Sequence, residues 1–297
     1  MFALCIESSH ARGMGHFFRA LNLAGALRAA GRPCKFYLND HSPSRRILEE
    51  CGQPYETVSL DDEGSDWEAP LVRRDGVTLW IDDRLDTSIA HARRVKSCGI
   101  PLATFDDRGS GAALADLHIA ALAFDEQEKL GGTRLLRGPE YLILNPQIRD
   151  HARLRTRLSS ILVTLGGSDT YGVTVKVVRL LKEMGWPATV VIGPSFMHDE
   201  ALKNELAAGF VVKRGVPSLI EEFARHDLAI TGGGITPFEA NAYGLPCVVV
   251  ANETFEIPVG EALQRLGGAV FAGHYETLRA PLFDTGLPLE QMSRAGM

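Results

Sequence analysis

The sequence predicts an α/β chain: two facing doubly wound Rossmann-type domains with a cleft between them. Short β-branched or apolar runs alternate with segments of helical period, the pattern of parallel sheets covered by helices. That alternation runs through twice, once in each half of the chain. The length, 297 residues, suits two domains of about 150 residues each.

In the first half, strands are expected at Phe2 to Ile6, Cys34 to Leu38, Val77 to Ile81, Leu102 to Phe105 and Leu117 to Ala120. Helices are expected at about 17–30, 43–51 and 86–97, with Gly31 closing the first. In the second half the strands read Ile161 to Leu165, Ala188 to Ile192, Phe210 to Val212, Leu228 to Thr231, Cys247 to Val250 and Ala269 to Phe271, with helices between them. Asn145 to Ser159 joins the halves. It is polar and carries Arg149, Arg153, Arg155 and Arg157, and its opening Asn145-Pro146 is a turn signal rather than a core element. The boundary is therefore set near 150, giving domains 1–150 and 151–297.

Composition excludes several classes. No apolar run approaches the roughly 18 residues of a membrane span. Lys and Arg number 31 against 37 Asp and Glu, a net charge of −6 with no basic block, so nucleic acid is not an expected partner. An anion would have to be held by local chemistry. The five cysteines form no C-x-x-C and no zinc spacing, which argues against a disulfide framework or a metal site. Met1 to Ile6 lacks the basic lead of a secretory signal, and a cytoplasmic setting is expected.

In open α/β sheets, ligands bind at the loops after the strands. Gly13-Met14-Gly15-His16-Phe17-Phe18-Arg19 follows the first strand. Gly13 and Gly15 let a ligand approach the backbone, and His16 projects from the first helical turn as a candidate general base. The plainer reading of His16 is a helix-start histidine facing solvent. Arg19, three residues on, would orient His16 or pair with an anion. Phe18 stands where a dinucleotide fingerprint needs its third glycine, which disfavours an NAD-dependent oxidoreductase.

Gly166-Gly167-Ser168-Asp169-Thr170 follows another strand and could bring a helix end to a diphosphate, or simply form a well-capped turn. Gly232-Gly233-Gly234-Ile235-Thr236-Pro237-Phe238-Glu239 is a third such loop. Three successive glycines are entropically costly, which favours backbone contact with a ligand at Gly233 and Gly234. Thr236 can cap the helix. Glu239 can accept from two ribose hydroxyls, or be a first-turn acid favoured by the helix dipole. Asp82-Asp83 and Asp106-Asp107 end two strands. Asp82 and Asp106 are the catalytic candidates among them, for activating water or binding sugar hydroxyls, with capping as the alternative and Mg²⁺ only weakly supported.

These motifs, in this order and with Gly244-Leu245-Pro246, resemble the PseG/SpsG-like branch of the GT-B superfamily over nearly the whole chain. That branch includes a UDP-sugar hydrolase of pseudaminic acid biosynthesis and proteins of spore-coat polysaccharide synthesis. More distantly, the sequence resembles the MurG type of N-acetylglucosaminyltransferase. The resemblance implies a nucleotide-sugar site between the domains, with UDP held by the C-terminal half and the sugar or acceptor on the N-terminal side. It implies His16 as catalytic base, Gly13 and Gly15 as close-approach positions, and Gly232 to Thr236 with Glu239 as the nucleotide grip. Two positions depart from the pattern. Cys5-Ile6-Glu7 stands where such hydrolases carry Arg and then Asp, and Phe255-Glu256 where they carry Asn-Gln. An acid at Glu256 repels a diphosphate unless it faces the sugar.

The expected function is hydrolysis of the anomeric bond of a UDP-activated amino- or deoxy-sugar in bacterial surface polysaccharide or nonulosonic acid synthesis. His16 would activate water, and helix starts after 165 and 231 would stabilise departing UDP, with no metal or cofactor. One alternative is a glycosyltransferase with the same donor site. Only then would peripheral membrane contact follow, through Arg28, Arg32, Arg45 and Arg46. Another is a non-catalytic nucleotide-sugar binder, suggested by Glu7 and Glu256.

Overall fold

A computed structural model describes the chain except for residues 10–13, 63, 126, 151, 217 and 285. The described residues divide into two units. One takes in Met1–Ser9 and His16–Ile143, and Leu144–Met297 forms the body of the other.

The first unit runs β1 (Phe2–Ile6), α1 (Gly15–Ala29), β2 (Cys34–Leu38), α2 (Ser42–Glu50), β3 (Tyr55–Thr57), α3 (Glu68–Asp75), β4 (Leu79–Asp83), α4 (Ile89–Ser97), β5 (Leu102–Phe105), β6 (Leu117–Ala120) and β7 (Arg134–Arg137). All of its strands pair in parallel, in the order β3-β2-β1-β4-β5-β6-β7. β1 is apolar along its whole length because helices cover both faces of a parallel sheet. Ala3, Cys5, Tyr37, Trp80, Ala92, Val95 and Leu102 form one side of the core.

Three elements here carry no clear sequence signal. β3 and β7 are short edge strands whose residues stay largely half-buried or exposed, so they show no apolar alternation. α3 has Pro70 in its first turn. β4 also lies two residues later than expected. The N–H of Val77 bonds back to Val72 O at 3.0 Å and closes α3, and the strand reaches Asp82 and Asp83, in register with Cys5 and Ile6.

The second unit runs β8 (Ile161–Thr164), α5 (Val173–Glu183), β9 (Thr189–Ile192), α6 (Asp199–Glu205), β10 (Val211–Arg214), α7 (Leu219–Arg225), β11 (Leu228–Gly232), α8 (Thr236–Ala242), β12 (Cys247–Ala251), α9 (Ile257–Leu266), β13 (Ala269–His274) and α10 (Leu289–Gly296). Its parallel sheet has the order β10-β9-β8-β11-β12-β13. Val163, Val177, Val190, Ile230 and Val248 centre its core. In both sheets the chain leaves the first strand in one direction and returns on its other side. The switch points therefore lie between β1 and β4 and between β8 and β11, where doubly wound sheets bind ligands.

Arg155, expected in a polar connector, is instead 1% exposed. Its guanidinium donates to Arg153 O (2.5 Å), Tyr243 O (2.6 Å), Phe223 O (2.6 Å) and His226 O (3.4 Å). Those carbonyls include the ends of α7 and α8, so one cation serves the negative poles of two helices. Among the described residues no helix is long and apolar enough to cross a membrane.

Candidate functional site

α1 starts directly after the loop leaving β1, which sets His16 in its first turn at the carboxyl edge of the first sheet. Asp83 ends the neighbouring strand β4, and the two side chains meet, His16 Nδ1 lying 2.6 Å from Asp83 Oδ1. Arg19, on the next turn of α1, donates from Nε to Asp83 Oδ2 (2.9 Å), from Nη2 to Asp83 Oδ1 (2.5 Å) and from Nη1 to Asp106 Oδ2. Asp106 follows β5, and its Oδ1 accepts from Leu122 N at 2.8 Å. Burial alone would raise the Asp83 carboxyl, but Arg19 and His16 outweigh it and hold the group below the usual carboxylate range.

The arrangement sorts the roles. An ionised Asp83 fixes the proton on His16 Nδ1 and leaves Nε2 as the basic nitrogen. His16 keeps 19% of its side chain exposed, against 3% for Asp83 and 2% for Arg19. Arg19 therefore holds Asp83 in place rather than meeting an anion, and Asp106 braces Arg19 with both of its oxygens engaged. Gly15 is exposed at the start of α1. Gly13 lies outside the described residues.

Asp82 turns away from this cluster because successive strand residues face opposite sides of a sheet. It is fully buried and accepts from Trp80 Nε1 (3.0 Å) and His91 Nε2 (3.2 Å). His91 Nδ1 donates to Glu68 Oε1 (2.7 Å), and Glu68 also takes Arg94 Nε (2.8 Å). Burial would lower the His91 pKa, but Asp82 and Glu68 prevail and push it up to about 9. Cys5 sits with Asp82 and His91, their ligand-type atoms all within 4.8 Å of one another. Both imidazole nitrogens carry protons toward carboxylates, and burial pushes the Cys5 thiol up, so the trio offers a cation few free lone pairs.

In the second unit, the loop after β8 holds Gly166 at φ +98°, a conformation suited to glycine. Ser168 is 4% exposed. Asp169 accepts Val173 N on Oδ1 (2.7 Å) and Thr174 N on Oδ2 (2.8 Å). These first-turn amides of α5 are thus met by a carboxylate of the chain itself, not left for a diphosphate. Gly167 O accepts Ser195 N at 2.9 Å, and a Cβ on Gly193 would fall 2.2 Å from that oxygen.

The three glycines after β11 divide into two kinds. A Cβ at Gly232 would stand 2.6 Å from Asn252 Nδ2, and one at Gly233 would stand 2.6 Å from Glu256 Cβ. Packing of the loop after β12 requires both. A Cβ at Gly234 would meet nothing within 4 Å, so this glycine presents open backbone. Thr236 and Pro237 start α8 without a side-chain cap. Glu256 Oε2 accepts Asn252 N (2.7 Å) and Gly233 N (3.3 Å), and Glu239 Oε1 accepts Asn145 N (3.2 Å). Burial pushes both carboxyls up to about 7, only partly opposed by those hydrogen bonds. Near neutrality Glu256 is thus partly uncharged, which eases the conflict between an acid and a diphosphate.

No family model matches the chain. It is similar to an uncharacterized protein of Methanocaldococcus jannaschii, 28% identical over 84% of this chain and 55% of that protein, so the chain spans about half the length of that relative. It is also similar to the spore coat polysaccharide biosynthesis protein SpsG of Bacillus subtilis, 24% identical over 90% of this chain and 82% of that protein. Among solved structures it is similar to MurG of Acinetobacter baumannii, with a TM-score of 0.62 at 16% identity over 99% of this chain and 94% of that one. The fold is GT-B.

A GT-B chain with these loops could be read from sequence only in part. Asp83 was visible as half of an acidic pair, but choosing it over Asp82 required the strand register. Asn252 carried no motif, yet it shapes Gly232. Arg155 left no signal, since a buried arginine bonded to carbonyls looks like any surface arginine.

Proposed function

We propose that the chain is an enzyme that cleaves the anomeric bond of a UDP-activated sugar with water as acceptor, in polysaccharide biosynthesis. The observation that carries this reading is the His16–Asp83–Arg19 constellation at a switch point of the first sheet. His16 Nε2 takes a proton from water as it attacks the anomeric carbon, the C–O bond to UDP breaks, and the electron pair leaves with the diphosphate. Asp83 stabilises the imidazolium that forms. In the second unit, Gly234 and Thr236 supply backbone donors to the leaving diphosphate and Glu239 accepts from the ribose. Similarity to SpsG supports the nucleotide-sugar class.

The test is to incubate UDP-sugars without an acceptor. Free sugar and UDP at catalytic rates are the expected products, and His16→Ala should lower kcat by about 10²–10⁴-fold while leaving UDP affinity intact. A donor that stays inert until a carbohydrate acceptor is added would make the protein a transferase. UDP binding with no turnover under either condition would make it a binder.

A further inference from the structure

Tyr171 lies in the loop between β8 and α5, at the carboxyl edge of the second sheet. Its ring stacks on Tyr275, just past β13, with centroids 4.9 Å apart and planes 13° from parallel, and His274 packs on Tyr275 in turn at 4.6 Å. Lys176 of α5 pins this segment by donating to Tyr275 O at 2.6 Å. The Tyr171 hydroxyl donates to Glu253 Oε1 at 2.7 Å, in the loop after β12. Tyr171 is thus held by both its ring and its hydroxyl, yet 45% of it stays exposed. An aromatic side chain fixed in place while burying so little adds little to the fold, and at a sheet's ligand-binding edge it is a ring preorganised for a ligand.

We infer that Tyr171 is a specificity residue on which the pyranose ring of the donor stacks through its C–H face, while Glu253 Oε2 accepts from a sugar hydroxyl. This rests on the nucleotide-sugar reading above. The order of the site selects the sugar over the base. The groups proposed for ribose and diphosphate run from Glu239 back through Thr236 to Gly234, and the loop that carries Glu253 lies beyond them, its Asn252 and Glu256 packed against Gly232 and Gly233. Continuing from ribose through diphosphate in that direction leads to the sugar. The chemistry agrees, because the negative face of an aromatic ring attracts the positively polarised C–H groups of a pyranose, and a carboxylate beside it accepts hydroxyl protons.

The test is calorimetric binding of UDP, UDP-glucose and UDP-N-acetylglucosamine to the full chain carrying His16→Ala, which spares the donor from turnover, alone and with Tyr171→Ala or Tyr171→Phe added. Tyr171→Ala should weaken both UDP-sugars about tenfold and leave UDP within about twofold, whereas Tyr171→Phe, which keeps the ring, should retain most of the affinity for the sugars. In proton NMR the pyranose C–H signals of the bound donor should move upfield through the ring current of Tyr171, and Tyr171→Ala should abolish that shift. Three results overturn the inference: equal weakening of UDP and the UDP-sugars, affinities that do not change in Tyr171→Ala, or an upfield shift that survives in it. A variant that melts lower while the ratio of sugar to UDP affinity holds would make the stack purely structural and overturn it as well. Failure of the nucleotide-sugar reading looks different, for then UDP itself does not bind.

Discussion

A carboxylate 2.6 Å from one imidazole nitrogen decides which nitrogen can act as a base. Asp83→Asn should therefore cost turnover through the wrong tautomer, by about 10²–10⁴-fold, with UDP affinity unchanged. Asp82→Asn disturbs His91 instead, so it should lower the melting temperature more than kcat. His91 itself predicts a pH effect. Its pKa is about 9 folded against an ordinary 6.5, so the stabilisation is complete below about 6.5 and disappears as the pH rises through about 9. The wild type should lose on the order of 3 kcal/mol between pH 7 and pH 10, a decline that melting curves of His91→Gln should lack. At this scale the sequence was informative about residue types and poor about partners. His16 and Arg19 announced themselves by position after a strand, but the choice between Asp82 and Asp83 depends on which face of β4 each one takes.

The loops joining strands to helices were legible as candidates because glycine is expensive and is seldom repeated without cause. What their glycines serve was not legible. Gly232 and Gly233 make room for Asn252 and Glu256, whereas Gly234 faces open space. Gly233→Ala should consequently unsettle the loop after β12 and lower the melting temperature, while Gly234→Ala should fold normally and weaken UDP binding if that backbone holds phosphate. Glu256 adds a titration at the same element. Its pKa is raised to about 7, so the folded state binds the extra proton, and this contribution to stability falls as the pH rises from about 4.5 through about 7. Glu256→Gln keeps an acceptor for Asn252 N and Gly233 N without the charge. It should flatten that slope and be more stable to unfolding than the wild type at pH 8, by up to about 3 kcal/mol.

For the whole molecule, both parallel sheets and their order of alternation could be read from sequence, because buried parallel strands are apolar on both faces. The edge strands of the first sheet, β3 and β7, could not, since β7 runs Arg134-Leu135-Leu136-Arg137 with half of it exposed, whereas β10 and β13 at the edges of the second were expected. A net charge of −6 is compatible with a nucleotide ligand, because amides at a loop can hold a diphosphate whatever the overall balance. Hydrogen exchange offers a check across the chain. UDP should slow exchange at 232–236 and 252–256, and leave α2 and α6 unaffected. His16 and Asp83 are 67 residues apart in sequence, and they meet only after β4 has docked beside β1 across an intervening strand-and-helix excursion. Closing so large a loop is slow compared with forming helices. On refolding from denaturant, helical signal should thus return before any turnover, and the lag between them times the assembly of the His16–Asp83 pair.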